Sequence, residues 1–377
     1  MANPLRLFLV AGEPSGDRLG ADLVKRLRLK REVHPSGVGG PALAGEGLHS
    51  LFSIEDLSVM GFGDVLRRLP LLLWRVEQIV RAILAEQPDV TVLIDSQVLS
   101  ETVARRLRKR GYAGRIVLYV APSVWAWKPE RAAALTPLMD EVLAILPFEP
   151  EVMAQLDGPP TAYVGHPTVE ETSMREAVPL RGPLLLLPGS RAGEVRRHLP
   201  LMEAVAVMLH KHHRVTELIL PTVKPLEARV REAVAKWSVP VTVVTGTASY
   251  SGAIAAVAKM GTVTLELAMR GVPMIATYVA EPAQLRRAEK YGATQAALPN
   301  ILAEHEIVPE VIMAKADAAL LVDFVRRLLD DPSIAEAQLD AFRAIRWRME
   351  QGDPGYPLVD AAERVLALAD QRLVSAT

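Results

Sequence analysis

The chain of 377 residues contains no cysteine. Disulfide bonds, catalysis by a thiolate and zinc sites with cysteine ligands all require that side chain, so these classes of protein are excluded. A chain without cysteine fits the reducing environment of the cytoplasm, and we expect a cytoplasmic location.

Long apolar runs are also missing. No stretch reaches the roughly 18 consecutive apolar residues that a membrane-spanning helix needs. The nearest candidate, residues 69–84, is interrupted by charged side chains such as Arg75 and Arg81. The apolar run at residues 5–11 lacks a preceding basic region and a following small-residue cleavage site, so we expect no secretory signal peptide.

Neither sign of charge predominates. Lys and Arg total 43, Asp and Glu total 44, and the formal net charge is -1. This balance argues against a protein whose whole surface binds nucleic acid, so no nucleic-acid partner is expected. Half of the residues are apolar and 23% are charged, which is typical of a folded globular chain. Because 377 residues are too many for one ordinary core, we expect two domains.

The sequence does contain a regular alternation of apolar runs and amphipathic segments. Runs rich in Val, Leu and Ile, which predict strands, lie at residues 5–12, 90–95, 115–122, 141–146, 161–165, 183–189, 217–221, 241–246 and 273–279. Amphipathic segments, which predict helices, lie at residues 17–30, 101–110, 195–210 and 225–235. Such alternation indicates parallel sheets covered by helices on both faces. The polar, proline-punctuated residues 166–183 indicate a linker, so the sequence predicts an α/β protein with two doubly wound domains and a ligand cleft between them.

The first predicted strand runs into a glycine-rich junction. Gly12, Glu13, Ser15 and Gly16 lie between this strand and a helix, where glycines allow a tight loop with exposed backbone N–H groups. The junction is similar to a Rossmann loop but does not match the G-x-G-x-x-G spacing. The alternative, which the spacing alone favours, is an ordinary turn in which Ser15 or Asp17 caps the helix.

Asp95 ends the second predicted strand. A carboxylate at this strand end would face the predicted cleft, where partial burial would raise its pKa toward that of a general base. The alternative is an aspartate that caps the next helix, and the pattern leaves both interpretations open.

A loop with two tryptophans follows the third predicted strand. Residues 119–132 contain Ser123, Trp125 and Trp127. The indole rings could form a stacking wall for a sugar or an apolar wall for an acyl chain. The alternative, which is favoured for either tryptophan taken singly, is ordinary packing against the domain interface.

Four leucines run directly into Gly189, Ser190 and Arg191, and a helical segment follows. A helix that begins where a strand ends presents free N–H groups and the positive end of its dipole, and Arg191 adds a bidentate ligand for phosphate. This junction predicts an anion site. The alternative is a plain turn, since the Gly-Lys-Ser/Thr of a Walker loop is missing.

A second helix start could also bind an anion. Gly261 and Thr262 open a helix, and Glu266 lies one turn further along the same face. Such a helix start could hold a diphosphate, and the carboxylate could bind a pair of ribose hydroxyls. The alternative is a capped core helix, because the neighbouring residues are mostly apolar.

Two clusters outside these junctions also have two interpretations. Residues 57–84 mix apolar side chains with arginines, which suits a surface that meets anionic lipid; the alternative is two core helices with solvated arginines. His210, His212 and His213 lie at a probable helix end, where an interaction with the helix dipole is favoured over a metal site. No metal site is predicted.

In this order, the junctions resemble the lipid-A-disaccharide synthase family. The matching segments are "AGEPSGDRLGADL", "GVGGPALAGEGL", "LSVMGFGDVL", "VAPSVWAWKPERA", "LPFEP", "VGHP", "LLPGSRAGEV", "GTVTLELAMRGVPM" and "LPNILA", and they span residues 11–303. The resemblance implies a GT-B glycosyltransferase with two Rossmann-like domains. It further implies an acceptor-binding domain at residues 1–170, a UDP-sugar-binding domain at residues 171–346 and a C-terminal segment at residues 347–377 that crosses back to the first domain.

The same resemblance implies a reaction and its setting. Family members transfer 2,3-diacylglucosamine, with inversion, from UDP-2,3-diacylglucosamine to 2,3-diacylglucosamine 1-phosphate and release UDP. They need no metal and no cofactor. They bind peripherally to the inner face of the inner membrane and can form homodimers.

The family's functional positions fall on the junctions described above. Gly189, Ser190 and Arg191 match a cradle for the UDP diphosphate, in which Arg191 stabilises the departing charge. Asp95 matches the candidate base that takes the proton from the acceptor 6-hydroxyl. The other matched substrate- or UDP-binding positions are Gly12, Glu13, Ser15, Gly16, Ser123, Trp125, Gly261, Thr262, Glu266, which is expected on the ribose, and Asn300.

Two departures from the family pattern leave alternative functions open. Residues 96–100 read Ser-Gln-Val-Leu-Ser where the family usually has Ala-Pro-Asp-Phe-Asn, and Met260 stands where the family usually has serine. The alternatives are a family member with another acceptor, a UDP-sugar 2-epimerase of the same fold and a UDP-sugar-binding protein without catalysis.

Overall fold

The computed structural model describes residues 3–57, 62–281, 284, 286 and 295–375 and, of residues 62–67 and 372–375, the backbone alone. The chain forms two compact units. The first unit contains the residues up to Pro167 and those from Met349 onward, and the second contains Thr168–Arg348. The second unit is therefore an insertion within the first.

The first unit is built on a six-stranded parallel sheet. In spatial order its strands are β2 (Val33–Val38), β1 (Leu5–Ala11), β3 (Val90–Ile94), β4 (Arg115–Tyr119), β5 (Glu141–Ala144) and β6 (Thr161–Tyr163). Its helices are α1 (Pro14–Arg28), α2 (Pro41–Gly45), α3 (Phe62–Glu86), α4 (Gln97–Lys109), α5 (Arg131–Leu135), α6 (Glu149–Gln155) and a C-terminal helix (Ala361–Ser375). Because helices cover both faces of the sheet, the central strand β3 is apolar and buried along its whole length.

The C-terminal helix completes the core of the first unit. Its residues Ala362 and Val365 are fully buried against Leu7, Leu9 and other residues on one face of the sheet. A short antiparallel pair, β13 (Gly352–Asp353) and β14 (Tyr356–Pro357), precedes this helix.

The second unit has its own six-stranded parallel sheet. In spatial order its strands are β12 (Glu310–Met313), β11 (Met274–Val279), β10 (Ala255–Lys259), β7 (Gly182–Leu187), β8 (Val215–Thr222) and β9 (Thr242–Thr245). Its helices include α7 (Pro167–Glu170), α8 (Ala192–Leu209), α9 (Glu227–Val234), α10 (Thr262–Met269) and those at Leu298–Ala303, Ala318–Asp330 and Pro332–Gln351. The first of these helices begins, and the last ends, within the first unit. The four leucines that precede Pro188 form the end of the central strand β7 and are buried.

Each sheet reverses its strand order at one point. In the first sheet the chain moves outward from β1 to β2 and then returns to continue on the other side with β3. In the second sheet the same reversal separates β7 from β10. Loops that leave two such strands diverge, so a crevice opens at their carboxyl ends, where doubly wound folds bind ligands.

The prediction of an α/β chain with two doubly wound parallel sheets is confirmed. All of the predicted strands occur, with ends that differ by up to three residues. The strands β2, β10 and β12 were not predicted. The strand β2 contains Pro35 and Gly37, which weaken a strand pattern, and β10 contains three alanines, which alone favour a helix.

The mixed apolar and basic region at residues 57–84 lies mainly in α3, a single helix with Pro70 inside it, whereas the core interpretation assumed two helices. Val76, Ile79, Val80 and Ile83 of this helix are buried, whereas Trp74 is exposed. Residues 58–61 and the side chains of residues 62–67, which include Met60 and Arg67, lie outside the described residues. No helix within the described ranges is long and apolar enough to cross a membrane.

Candidate functional site

A pocket of about 510 Å³ lies within the second unit, at the carboxyl ends of β7, β8, β9 and β10. It includes the switch point between β7 and β10, where a doubly wound fold is expected to bind a ligand. The predicted residues Gly189, Ser190 and Arg191 line it, and so do Gly261, Thr262 and Glu266. Two motifs that are about 70 residues apart in sequence therefore face one pocket.

The loop from Gly189 to Arg191 is held by a carboxylate that follows it. Gly189 has a φ of 110°, and a Cβ there would lie 2.7 Å from Oε2 of Glu194. The backbone N–H groups of Ser190 and Arg191 donate to the same oxygen at 3.2 and 3.3 Å. The side chain of Arg191 is 82% exposed, and its guanidinium lies 3.7 Å from Oε1 of Glu194. The backbone is therefore fixed while the Arg191 side chain stays accessible to a ligand.

Glu194 also binds a lysine from the neighbouring strand. Nζ of Lys259, at the end of β10, donates to Oε1 of Glu194 at 2.8 Å, and both side chains are almost completely buried. Burial alone would raise the pKa of Glu194, but the hydrogen bond and charge of Lys259, together with Arg191, outweigh it and lower that pKa. The pocket thus contains an ionised pair beside the exposed Arg191.

His198 supports this pair from within the unit. The N–H of Val279 donates to Nε2 of His198 at 2.9 Å, so the imidazole proton lies on Nδ1, which donates to the backbone oxygen of Glu194 at 2.9 Å. Burial lowers the pKa of His198. A neutral, fully buried imidazole with both nitrogens bonded has a structural role.

The start of α10 forms another part of the pocket wall. Gly261 precedes the helix with a φ of 153°, and Thr262 is exposed at its first position. Glu266 is half-buried one turn later, and Arg270 donates to its backbone oxygen at 3.2 Å. The ring of Tyr250 lies below the Arg270 guanidinium, and burial raises the pKa of this tyrosine.

Asn300 was matched to a position near the donor. It is fully buried and is not part of the pocket wall. Its amide nitrogen donates to the backbone oxygen of Val308 and to Oε1 of Glu310, both at 2.8 Å. Its amide oxygen accepts the N–H groups of Ile307 and Val308, both at 2.9 Å. All four bonding positions of the amide are therefore used to hold the loop that leads into β12.

The predicted glycine loop of the first unit lies at the switch point of the first sheet. Gly12 is buried, and a Cβ there would lie 2.3 Å from Oγ of Ser96, so only glycine fits beside the loop that follows β3. Gly16 is buried against Ile94 in the first turn of α1, while Glu13 and Ser15 are exposed.

The proposed cap of α1 by Ser15 or Asp17 is not present, because no side chain caps this helix. The buried Asp17 accepts the N–H groups of Gly40, Ala42 and Leu43 at 2.7 to 3.1 Å. Its carboxylate therefore binds the start of α2.

Asp95 begins a strained turn. Asp95 and Ser96 have φ values of 52° and 38°, a left-handed conformation that residues other than glycine rarely adopt. The N–H of Asp95 donates to the backbone oxygen of Tyr119 at 2.8 Å, and the hydroxyl of Ser100 donates to the backbone oxygen of Asp95 at 2.9 Å. Ser96, not Asp95, is the residue that precedes α4, so the turn presents a half-buried Asp95 at the strand end.

The tryptophan loop is joined to a buried acid. Nε1 of Trp125 donates to Oε1 of Glu149 at 3.4 Å, and the Trp125 ring meets the edge of Phe148 at 5.6 Å. Burial raises the pKa of Glu149 to about 8. Ser123 and Trp125 are half-buried, so one part of the Trp125 ring packs in the unit and another remains accessible.

Several residues that line this pocket were not identified from the sequence, and Glu194, Lys259 and Thr222 are among them. Glu194 had a usable signal, because a glutamate three residues beyond a helix cap commonly binds the backbone there. Lys259 had no signal, because its strand β10 was not recognised. Thr222 ends β8, and its hydroxyl has no hydrogen-bond partner among the described residues.

The histidines after α8 do form a small cluster. His212 and His213 stack at 4.7 Å, and Nε2 of His212 lies 3.0 Å from Oδ1 of Asp330. Within the described part of the chain, this is the single group of three or more potential metal ligands. Both His213 and Asp330 are exposed, and the absence of a metal site stays a prediction.

Comparison with known proteins identifies close relatives in sequence. The family model for lipid-A-disaccharide synthetase matches residues 7–352. A lipid-A-disaccharide synthase of Rhodopseudomonas palustris is 44% identical over 359 residues, which cover 90% of each chain.

Solved structures with a similar fold are much more distant. MurG of Acinetobacter baumannii has a TM-score of 0.57 and 14% identity, and the match covers 98% of this chain and 100% of that one. A UDP-GlcNAc 2-epimerase of Neisseria meningitidis, bound to UDP-GlcNAc, has a TM-score of 0.60 and 10% identity over 90% of this chain and 97% of that one. These neighbours support the predicted GT-B fold, which transferases and epimerases share.

Proposed function

The chain belongs to the lipid-A-disaccharide synthetase family, and from this premise we propose that it joins two acylated glucosamines into the lipid A disaccharide. The proposed donor is UDP-2,3-diacylglucosamine, the acceptor is 2,3-diacylglucosamine 1-phosphate, and UDP is released. The proposal rests mainly on one observation: a relative named as a lipid-A-disaccharide synthase is 44% identical to this chain. The alignment covers 90% of that relative.

The pocket of the second unit is the proposed UDP site. It lies at a switch point, and it combines the start of α8, the exposed guanidinium of Arg191 and the start of α10. Positive charge and helix starts favour a diphosphate. The half-buried carboxylate of Glu266 is one helical turn from Thr262 and would accept hydrogen bonds from the ribose hydroxyls.

Asp95 is the proposed general base. In an inverting transfer the acceptor 6-hydroxyl attacks the anomeric carbon, its proton goes to the base, and the bond from that carbon to the diphosphate oxygen breaks with both electrons staying on UDP. The left-handed turn at Asp95 and Ser96 supports this role, because strained backbone is often retained at reactive positions. Arg191 and the dipole of α8 would stabilise the charge that develops on UDP.

The first unit is the proposed acceptor side. Gly12 and Gly16 lie beside Ser96 and Ile94, next to Asp95, and Glu13 and Ser15 are exposed between them. The accessible part of Trp125 offers a wall for a sugar or an acyl chain. We do not assign Asn300 to the UDP site, because its amide has no bonding position left for a ligand.

Peripheral binding to the inner face of the inner membrane, as a homodimer or a monomer, is the proposed setting. The exposed Leu73 and Trp74 on α3 support lipid contact, because an exposed tryptophan beside arginines suits the headgroup region. Binding to anionic vesicles would test it. Equal binding by the wild type and by a variant with Leu73 and Trp74 changed to alanine would contradict this part of the proposal.

The test of function is mass spectrometry of the products formed from the two proposed substrates in the presence of a chelator. We expect a disaccharide phosphate together with UDP. Release of UDP without a disaccharide, or formation of a 2-epimer of the sugar, would favour the epimerase. Intact substrates with a protein that binds UDP would favour another acceptor or a binding protein.

A further inference from the structure

We propose that Lys259 is a direct contact of the donor's diphosphate, and that Glu194 is the positioning residue that holds Lys259 in the pocket. This inference rests on the proposed function, because it assumes that the pocket of the second unit binds UDP. It adds a buried cation to a site in which the sequence indicated Arg191.

The position of Lys259 follows from the strand order. Lys259 is the last residue of β10, which pairs directly with β7, and β7 leads into Gly189. The two strands flank the switch point, so the lysine and the glycine loop extend from the same edge of the sheet. Nζ of Lys259 and the guanidinium of Arg191 approach the same oxygen, Oε1 of Glu194, at 2.8 and 3.7 Å. The two cations are therefore neighbours in the pocket wall.

The ammonium of Lys259 has unused hydrogen-bonding capacity. It carries three hydrogens, and within the described residues its one hydrogen-bond acceptor is Glu194. The ring of Tyr278 lies 5.3 Å from Nζ and offers a cation–π contact that uses no lone pair. Because the Lys259 side chain is only 13% exposed, little of its charge is solvated by bulk water. A buried ammonium with hydrogens still to donate is stabilised by a ligand in the pocket that offers several acceptors.

The hydroxyl of Thr222 gives an independent indication of a ligand rich in acceptors. Thr222 is 6% exposed, lines the same pocket and has a hydroxyl with no partner in the described chain. Buried hydroxyls are almost always bonded, so a missing partner indicates a ligand or a water. The Lys259 ammonium and the Thr222 hydroxyl are both donors, and a diphosphate presents several oxygen acceptors and no donor.

Glu194 is suited to hold Lys259 without closing the site. Its Oε2 accepts the N–H groups of Ser190 and Arg191, and its Oε1 accepts Lys259. The lysine can keep this bond while its other hydrogens bind phosphate oxygens. The backbone of Glu194 is fixed in turn by His198. Glu194 therefore acts on the ligand through Lys259 and need not touch the ligand.

The test compares binding of uridine and UDP by calorimetry, because the two ligands differ by the diphosphate. For Lys259→Met we expect the affinity for UDP to fall at least about tenfold, since a hydrogen bond to a charged group contributes that much, while the affinity for uridine changes less than about twofold. Lys259→Arg keeps the charge and should retain most of the UDP affinity. Lys236→Ala, which removes an exposed lysine on the turn after α9, is the matched control and should leave both affinities unchanged.

The double variant with Lys259→Met and Glu194→Gln separates positioning from direct contact. Glu194→Gln keeps an amide oxygen that can accept the loop N–H groups of Ser190 and Arg191. If Glu194 acts on UDP through Lys259, this substitution weakens UDP binding in the wild type and has almost no further effect in Lys259→Met. The double variant also removes the buried carboxylate that has lost its lysine in Lys259→Met, so it keeps the test valid if the single variant is unstable.

The outcomes distinguish this inference from the proposed function. A wild type that binds neither UDP nor UDP-sugars contradicts the proposed UDP site itself. A wild type that binds UDP, with a Lys259→Met variant that binds it equally well, contradicts the role of Lys259 alone. An equal loss of uridine and UDP affinity in Lys259→Met would mean that the lysine only maintains the fold, and would also overturn the inference.

Discussion

The carboxyl edges of the two sheets each contain a buried glutamate, and the two glutamates are in opposite states. Glu149, in the first unit, accepts the indole N–H of Trp125 and the backbone N–H of Leu146, and burial raises its pKa to about 8. Glu194, in the second unit, binds Lys259, and its pKa is lowered in spite of its burial. One is thus mainly protonated at neutral pH and the other is ionised.

The difference shows that a charged partner, and not burial alone, decides whether a buried carboxylate ionises. It also separates the chemistry of the two edges. The edge of the second unit is rich in ionised groups and suits a diphosphate, whereas Glu149 and the tryptophan loop form a neutral wall that suits a sugar or an acyl chain. If this division is correct, substitutions at the two edges have different effects on UDP binding and on turnover.

The largest effect is expected for Asp95→Asn. Removal of the proposed base should lower kcat about a thousandfold and leave the affinity for UDP unchanged, because the residue lies at the edge of the first unit. Steady-state kinetics and calorimetry with UDP measure the two quantities. Asp157→Asn is a matched control, since Asp157 is an exposed residue of the same unit with a φ of 54°. Full turnover by Asp95→Asn would rule out Asp95 as the base.

Arg191→Ala should have the next largest effect and, unlike Asp95→Asn, should weaken UDP binding as well as turnover. Loss of the exposed guanidinium should weaken UDP binding roughly ten- to a hundredfold and lower turnover with it, because hydrogen bonds to charged groups contribute about 1.5–3 kcal/mol. Arg196→Ala removes an exposed arginine from the same helix and serves as the control. If both variants bind UDP as the wild type does, the diphosphate is not bound at the start of α8.

Glu149→Gln should have the smallest effect on turnover and UDP binding, and its expected effect is on stability and the dependence of stability on pH. Between pH 4.5 and about 8 the unfolded chain releases a proton that the folded protein keeps on Glu149, so the free energy of unfolding falls as the pH rises through this window. Above this window the free energy of unfolding is lower by on the order of a few kcal/mol, since each unit of pKa shift corresponds to about 1.4 kcal/mol. Glu149→Gln removes this pH-dependent loss of stability, because glutamine does not ionise.

Thermal unfolding at pH 5 and at pH 8.5 measures this effect. The Tm of Glu149→Gln minus the Tm of the wild type should be larger at pH 8.5 than at pH 5. For Glu151→Gln, which changes an exposed residue of the same helix, this difference should be the same at both pH values. A difference in Tm that does not change with pH would show that Glu149 is ionised in the folded protein.

The fold was largely predictable because its central strands are continuous apolar runs between helical segments. The runs at β3 and β7 need no tertiary information to be recognised, since parallel strands covered on both faces have this pattern. The strands that were missed depend on their neighbours. Alanine-rich β10 is a strand because β7 and β11 pair with it on both sides, and its own residues do not favour that state.

The candidate site was predictable only where the residues that indicate a ligand are adjacent in sequence. Gly189 to Arg191 and Gly261 to Glu266 were found because glycine, a helix start and a charged residue are adjacent in sequence. The pair of Lys259 and Glu194 was missed, since it joins a strand end to a helix 65 residues away. Asn300 was matched to the donor by its motif, but its sequence does not reveal that Val308 and Glu310 already occupy its amide.

The arrangement of the two units has a consequence for synthesis on the ribosome. Glu141 in β5 is 2% exposed, and both of its oxygens accept hydrogen bonds from Arg364 of the C-terminal helix, at 2.6 and 3.0 Å. Until that helix emerges, this carboxylate and the apolar face that the helix covers lack their partners. The inserted unit can fold as it is translated, whereas the unit that begins first is completed last.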